Sequence, residues 1–236
     1  IFVKEQIESL SKLGVANEVF FINGRQQGKK AYWIAIRDLR GKLKNADYDL
    51  LHCHHSFSAI ILFLTFRFFK FKKILSYQNP PKREGGVILY KIVYFFFNGI
   101  IFKSIPESIN NSKIHYLPNG VNTNFFKPHP HHESIKKLKL DPDKRYILFM
   151  DSYKRRTQKR VDRFNGVINV LLKNGNPYNI EPLVLTNTDR SLIPYYMSAS
   201  ALHLLTSDFE GSPNSVKECL SCNRPVVTTP VGNVKD

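Results

Sequence analysis

Cysteine is scarce, with three in 236 residues, at Cys53, Cys219 and Cys222. So small and uneven a set argues against a disulfide framework and suits a reducing compartment. Acidic residues are few beside basic ones, 19 Asp and Glu against 35 Lys and Arg, for a formal net charge of +16. That balance asks for anionic partners: nucleic acid, a phospholipid surface or phosphorylated substrates. Charge alone does not choose among them. No apolar run reaches the ~20 residues that span a bilayer. The longest are Phe57 to Phe66 and Val87 to Phe97, the second interrupted by Lys91. Solenoid repeats and low-complexity tracts are missing. So are the helix–turn–helix, zinc-finger and aromatic-sheet signatures of nucleic-acid readers, which makes nucleic acid the less favoured partner. No secretory signal pattern is visible, and the chain starts at Ile1 directly in a helical pattern, so it reads as a fragment.

What is present suits a folded enzyme. Hydrophobic residues make up 42% of the chain, with 18 Phe and 11 Tyr, enough to bury a core. Phe2, Ile7, Leu10 and Leu13 mark one side of a first helix that Gly14 ends. The pattern then predicts a strand over 18–22, a basic amphipathic helix over 30–43, a strand over 48–53 and a helix over 57–69. Further strands follow at 74–77, 100–102 and 114–117, with a helix over 87–97. Alternating helix and strand predicts a parallel α/β sheet. Residues 118 to 132 hold three prolines and little periodicity, and read as a linker. A second series follows, with strands at 146–150, 183–186, 201–206 and 225–229 and helices at 161–173, 191–198 and from Pro213. Two Rossmann-like domains, 1–117 and 133–236, facing each other across a cleft and incomplete at the chain ends, are the expected architecture.

The most informative stretch runs from Phe209 to Glu218, Phe-Glu-Gly-Ser-Pro-Asn-Ser-Val-Lys-Glu. It joins an apolar strand to a helix that Pro213 should open, since proline suits a first helical turn. In parallel sheets, ligands bind beyond the carboxyl ends of strands. The free N–H groups at the helix start favour an anion such as a phosphate. Carboxylates at Glu210 and Glu218 could bind hydroxyl groups on either side. The simpler reading is a solvated loop with a capping Glu.

Three other clusters stand out. His52, His54 and His55 lie at the carboxyl end of a strand. They could meet a sugar hydroxyl, hold a metal, or simply be satisfied within the sheet. Only His52 and His54 share a face. Lys154 to Arg160 is either a solvated basic loop or a clamp on a diphosphate. Phe66 to Lys73 interleaves aromatic and cationic residues. That suits an anionic membrane surface, single-stranded nucleic acid, or a core helix followed by a basic turn. Cys219-x-x-Cys222, inside the helix that carries Glu218, has no second pair or redox-motif context and is set aside as a metal or redox site, and His129-Pro-His-His132 reads as an exposed linker run.

The Glu-x7-Glu spacing resembles the signature of family 4 glycosyltransferases. Several other stretches resemble the same family: Asp49-x-x-His52-x-His54, Leu117-Pro-Asn-Gly-Val121, Tyr195 to Ser200 and Thr229-Pro-Val-Gly232. Ala201 departs from its usual Asp, and the usual Gly ahead of the Arg is missing. The resemblance implies the two-domain GT-B fold and a hexosyl-type transfer from a nucleotide sugar to an acceptor hydroxyl, with retention. It implies no cofactor and no metal. It places Glu210 and His54 at the transferred sugar, Glu218 on the donor ribose, and Arg155 (or Arg156) with Lys159 on the diphosphate. Ser212, Pro213 and Asn214 would line the phosphate-binding helix start. The implied partners are a nucleotide sugar, a sugar or lipid-linked acceptor, and an anionic membrane surface. The implied setting is cytoplasmic and peripheral to the membrane, in envelope or exopolysaccharide synthesis. Two other readings remain: an epimerase-like nucleotide-sugar enzyme of the same fold, and a basic nucleic-acid-binding module.

Overall fold

The structure, a computed structural model, describes residues 2–66, 71–104, 111–151 and 157–234. The chain divides into two compact units, Ile1–Pro118 and Asn119–Asp236.

The first unit opens with helices α1 (Phe2–Lys12), α2 (Gly24–Gln27) and α3 (Lys30–Lys44). There follow β1 (Leu50–His54), α4 (Ser56–Phe66), β2 (Lys72–Ser76), α5 (Gly86–Phe96), β3 (Gly99–Phe102) and β4 (Ile114–Tyr116). The sheet order is β1-β2-β3-β4, and every pair is parallel. One face of these strands sends Cys53, Leu75, Ile100 and Phe102 into a core shared with Ala59 and Leu62 of α4 and Val93 of α5. Short apolar strands and crossover helices thus bury each other. At the carboxyl ends of β1 and β2 lies Glu84, only 2% exposed. Its carboxylate accepts the backbone N–H groups of Ser56 (2.9 Å), Gln78 (2.8 Å) and Asn79 (2.8 Å). Three such bonds satisfy a buried charge and pin the start of α4 to the turn after β2.

In the second unit come α6 (His131–Leu138), β5 (Arg145–Met150), α7 (Val161–Lys173), β6 (Ile180–Leu185), α8 (Ile193–Ala199), β7 (Ser200–Leu205), α9 (Asn214–Ser221) and β8 (Val226–Thr228). The sheet order is β6-β5-β7-β8, again all parallel. Central β5 is buried on both faces, which is why its sequence is a continuous apolar run. Ile147 and Phe149 pack with Phe164 and Ile168 of α7, while Leu148 packs with Met197 of α8 and with Cys219 and Cys222. Phe149 and Phe164 meet at a ring separation of 4.7 Å.

Two elements differ from expectation. Residues 18–22 form no strand. Strand backbone needs a neighbouring ladder; without one, Val19 and Phe21 stay exposed. Conversely, the run from His129 to His132, expected as exposed linker, leads into α6, which Pro130 precedes as N-cap residue. Both His131 and His132 are exposed, but Ile135 is buried against Tyr146 and Ala199. Residues 119–130 carry neither helix nor strand, yet Phe126 is only 1% exposed and belongs to the second unit's core. Among the described residues, no helix is long and apolar enough to cross a membrane.

Candidate functional site

The loop from β7 to α9 is held by its own small polar residues. Thr206 Oγ1 donates to the carbonyls of Lys159 (3.0 Å) and Arg160 (2.9 Å). Asp208 N–H donates to Gln158 O at 2.8 Å. Thr229 Oγ1 donates to Ser207 O at 2.6 Å. The segment after β7 is thereby laced to the one that precedes α7 and to the end of β8.

That lacing brings Lys159 to Glu210, with Nζ 2.7 Å from Oε1. Ser207 Oγ donates to the same oxygen at 2.9 Å. Both charged side chains are largely buried, so removing one would strand the other's charge. Arg160, in a left-handed backbone conformation at the start of α7, bridges Asp162 and Asp208. The Asp162 carboxyl is held down to about 2, chiefly by its hydrogen bonds to Arg160. Arg155 and Arg156 lie outside the described residues.

At the start of α9, Pro213 stands just before the helix with ψ 106° rather than inside it. Ser212 Oγ accepts from Asn119 N–H at 3.2 Å and from the Lys217 ammonium. Asn214 Oδ1 accepts from Asn119 Nδ2 at 3.2 Å, and Lys217 Nζ donates to Asn119 O at 2.6 Å. Asn119 is therefore fastened to the helix start. Glu218, 7% exposed, faces Arg190. Both terminal guanidinium nitrogens lie 3.4 Å from its Oε1. Arg190 also sits over the rings of Phe126 (5.0 Å) and Phe125 (5.7 Å).

The structure thus brings Lys159, Glu210 and Ser212, with Asn214 and Glu218 of α9, to the carboxyl end of one sheet. It gives the two glutamates different cations. Sequence reasoning missed Arg190, which sits in a one-turn 3-10 helix with no motif around it. It missed His203 as well. His203 Nδ1–H donates to Leu148 O at 3.1 Å, which leaves Nε2 to accept from Ser215 Oγ at 3.1 Å. Burial pushes this ring down to about 4, so it stays neutral. Cys219 and Cys222 are free, buried thiols pushed up to about 12 and about 11 by burial. They pack, and do not present thiolates. Among the described residues, no three His, Cys, Asp or Glu side chains gather as metal ligands would.

His54 belongs to the first unit, at the end of β1. Its ring lies 4.2 Å from that of His52, and His52 Nε2 is hydrogen bonded to Ser76 Oγ at 2.8 Å. Burial, then the nearby His52 and Lys103, lower His54 to about 4. At neutral pH it can exchange hydrogen bonds but carries no charge.

No protein-family model and no curated protein matches this sequence. Solved structures do match. Sucrose-phosphate synthase from Thermosynechococcus elongatus aligns with 86% of this chain at 13% identity and a TM-score of 0.64. This chain spans 61% of that protein's length. Alr3699/HepE of Anabaena, solved with UDP-glucose, aligns with 97% of this chain and 71% of its own, at 16% identity and a TM-score of 0.57. The catalytic domain of starch synthase IV from Arabidopsis thaliana, bound to ADP and acarbose, aligns with 87% of this chain and 61% of its own, at 12% identity and a TM-score of 0.61. The shared feature is the fold: two parallel-sheet α/β units of the GT-B kind.

Proposed function

We propose that this chain is part of a glycosyltransferase that moves a sugar from a nucleotide-sugar donor to an acceptor hydroxyl. The observation that carries the reading is the Lys159–Glu210 pair beside the start of α9. A cation, a carboxylate and a helix N-terminus stand on adjoining loops of one sheet. A diphosphate would take over Lys159 from Glu210 and gain the helix N–H groups. Glu210 would then be released toward the sugar hydroxyls. Glu218, already buried and oriented by Arg190, would accept from the ribose. His54, neutral, would donate to a sugar hydroxyl. As the sugar's C1–O bond to the diphosphate breaks, the acceptor oxygen bonds to C1 on the same face and passes its proton to the departing diphosphate oxygen. Lys159 and the helix start stabilise the charge left on the diphosphate.

In this reading the transfer is retaining and independent of a divalent metal, and it serves envelope or exopolysaccharide synthesis beside a membrane surface. Matched proteins solved with UDP-glucose and with ADP support a nucleotide donor.

Thermal unfolding against UDP, GDP, ADP and their sugars tests the reading. A ligand that binds only the folded state raises stability by mass action. One nucleotide class should raise the melting temperature, and Glu218→Ala should abolish the rise. No rise with any nucleotide, or a rise that survives Glu218→Ala, would defeat this assignment. An epimerase of the same fold would instead release a new monosaccharide without any acceptor.

A further inference from the structure

The first unit holds a charge that its fold does not explain. Lys103 follows β3 directly and is 6% exposed. Among the described residues, its ammonium has no ion-pair or hydrogen-bond partner. A buried cation without a counter-charge is strongly unfavourable. Glu84, the buried carboxylate of the same unit, is committed to three backbone N–H groups instead.

The sheet register shows what surrounds this lysine. His54 lies opposite Ser76 across β1 and β2, and Ser76 lies opposite Ile101 across β2 and β3. Residues in register on parallel strands share a face, and so do residues two apart along a strand. His52, His54, Ser76 and Ile101 therefore line one face, and Lys103 continues that row just past the strand end. The opposite face carries Cys53, Leu75, Ile100 and Phe102 into the core. Lys103 is close enough for its charge to disfavour protonation of both His52 and His54. Its own proton is held less tightly because of burial.

We infer that Lys103, with His52 and His54 beside it, forms an oxyanion site at the carboxyl end of the first sheet, and that the site takes a singly charged group, a carboxylate or a phosphodiester. The charge balance sets the class. Both imidazoles are lowered to about 4, mainly by burial, and add no charge at neutral pH. One ammonium is then neutralised by one negative charge. A dianion would leave an excess in a low-dielectric site. Each neutral ring carries one N–H, and the Ser76 hydroxyl, bonded to His52 Nε2, orients that ring. The transferase reading alone makes this anion part of the acceptor: an acidic sugar, or a chain joined through phosphodiesters. The anion site itself does not rest on that reading.

The test uses the whole chain without nucleotide, in sodium chloride partly replaced at constant ionic strength by sodium glucuronate or sodium dimethyl phosphate. Wild type should melt higher with one of the two, and which one it is separates carboxylate from phosphodiester. Lys103→Met should melt a few degrees above wild type in chloride alone, since it removes a buried unpaired charge while keeping the chain length. The same variant should lose the anion-dependent rise, and Lys103→Arg should keep part of it. Three results would each overturn the site: no rise in wild type with either anion, a rise that persists in Lys103→Met, or a Lys103→Met that melts below wild type. Nucleotide is absent throughout, so failure here leaves the donor assignment standing, and failure of the nucleotide assay leaves the anion site standing.

Discussion

His203 is given no part in the proposed transfer, but it ties three elements of the second unit together. From β7 it donates to β5 and accepts from Ser215 on α9. Its ring sits near 4 rather than its ordinary 6.5 because burial penalises the charged form. The unfolded chain therefore takes up this proton at a higher pH than the folded one. Stability from the neutral ring is fully present above about 6.5 and is lost as pH falls toward 4, on the order of 3 kcal/mol in all. His52 and His54 act in the same direction. Urea unfolding as a function of pH isolates the His203 share. His203→Gln should lower stability at pH 7 but flatten the slope between these pH values by about 1.4 kcal/mol per unit. An unchanged slope would mean that His203 is not the buried neutral group.

At the scale of elements, the loop between β7 and α9, proposed to bind the donor, depends on a glycine in another segment. Gly232, after β8, has φ +56°, a left-handed conformation that costs other residues about 1 kcal/mol or more. A Cβ there would overlap Gly211 O and lie 2.9 Å from Glu210 O. The segment also donates from Asn233 N–H to Gly211 O at 3.2 Å. Gly232→Ala must therefore push the backbone of Glu210 and Gly211 outward and loosen the Lys159 contact. The expected cost is roughly 1–3 kcal/mol of stability, with a larger loss of nucleotide response than that destabilisation alone would give. Melting temperatures with and without nucleotide separate the two effects. Equal responses in variant and wild type would show that the loop tolerates the shift.

Across the whole molecule, each unit carries its own parallel sheet and its own buried clusters. Lys159, Glu210, Ser212, Asn214, Arg190 and Glu218 all belong to the second. A chain of residues 119–236 should therefore fold alone and melt in one cooperative transition by circular dichroism. It should keep the nucleotide-dependent rise and lack any response assigned to Lys103. A fragment that stays unfolded would mean that its cores do not suffice. One that folds but ignores nucleotide would place a necessary donor contact in the first unit. The net charge of +16 suits anionic ligands at both proposed sites, because long-range attraction speeds their encounter.

Much of the fold was legible from one residue to the next. Apolar runs bounded by Gly, Pro and Asn marked seven of the eight strands closely, β6 being longer than expected, because buried parallel strands must be apolar on both faces. The Glu210–Glu218 spacing placed one carboxylate in a loop and the other inside α9, as chain geometry alone dictates. Local pattern failed where a partner decides. Residues 18–22 have a strand's composition but no ladder to join. Residues 131–138 became a helix because Ile135 found Tyr146 and Ala199. Which cation meets which glutamate was likewise a tertiary matter. Lys159 reaches Glu210 across 51 positions only because Thr206 and Asp208 lace their loops together. Arg190 reaches Glu218 because Arg190 and α9 converge on the same buried side of the sheet, beside Phe126. Lys103 looked like any surface lysine in the sequence. Only its burial beside two neutral histidines, without an ion-pair partner among the described residues, sets it apart. Sequence determines which groups are present and how they are spaced; charge pairing and desolvation depend on distances through space, which only the packed sheets set.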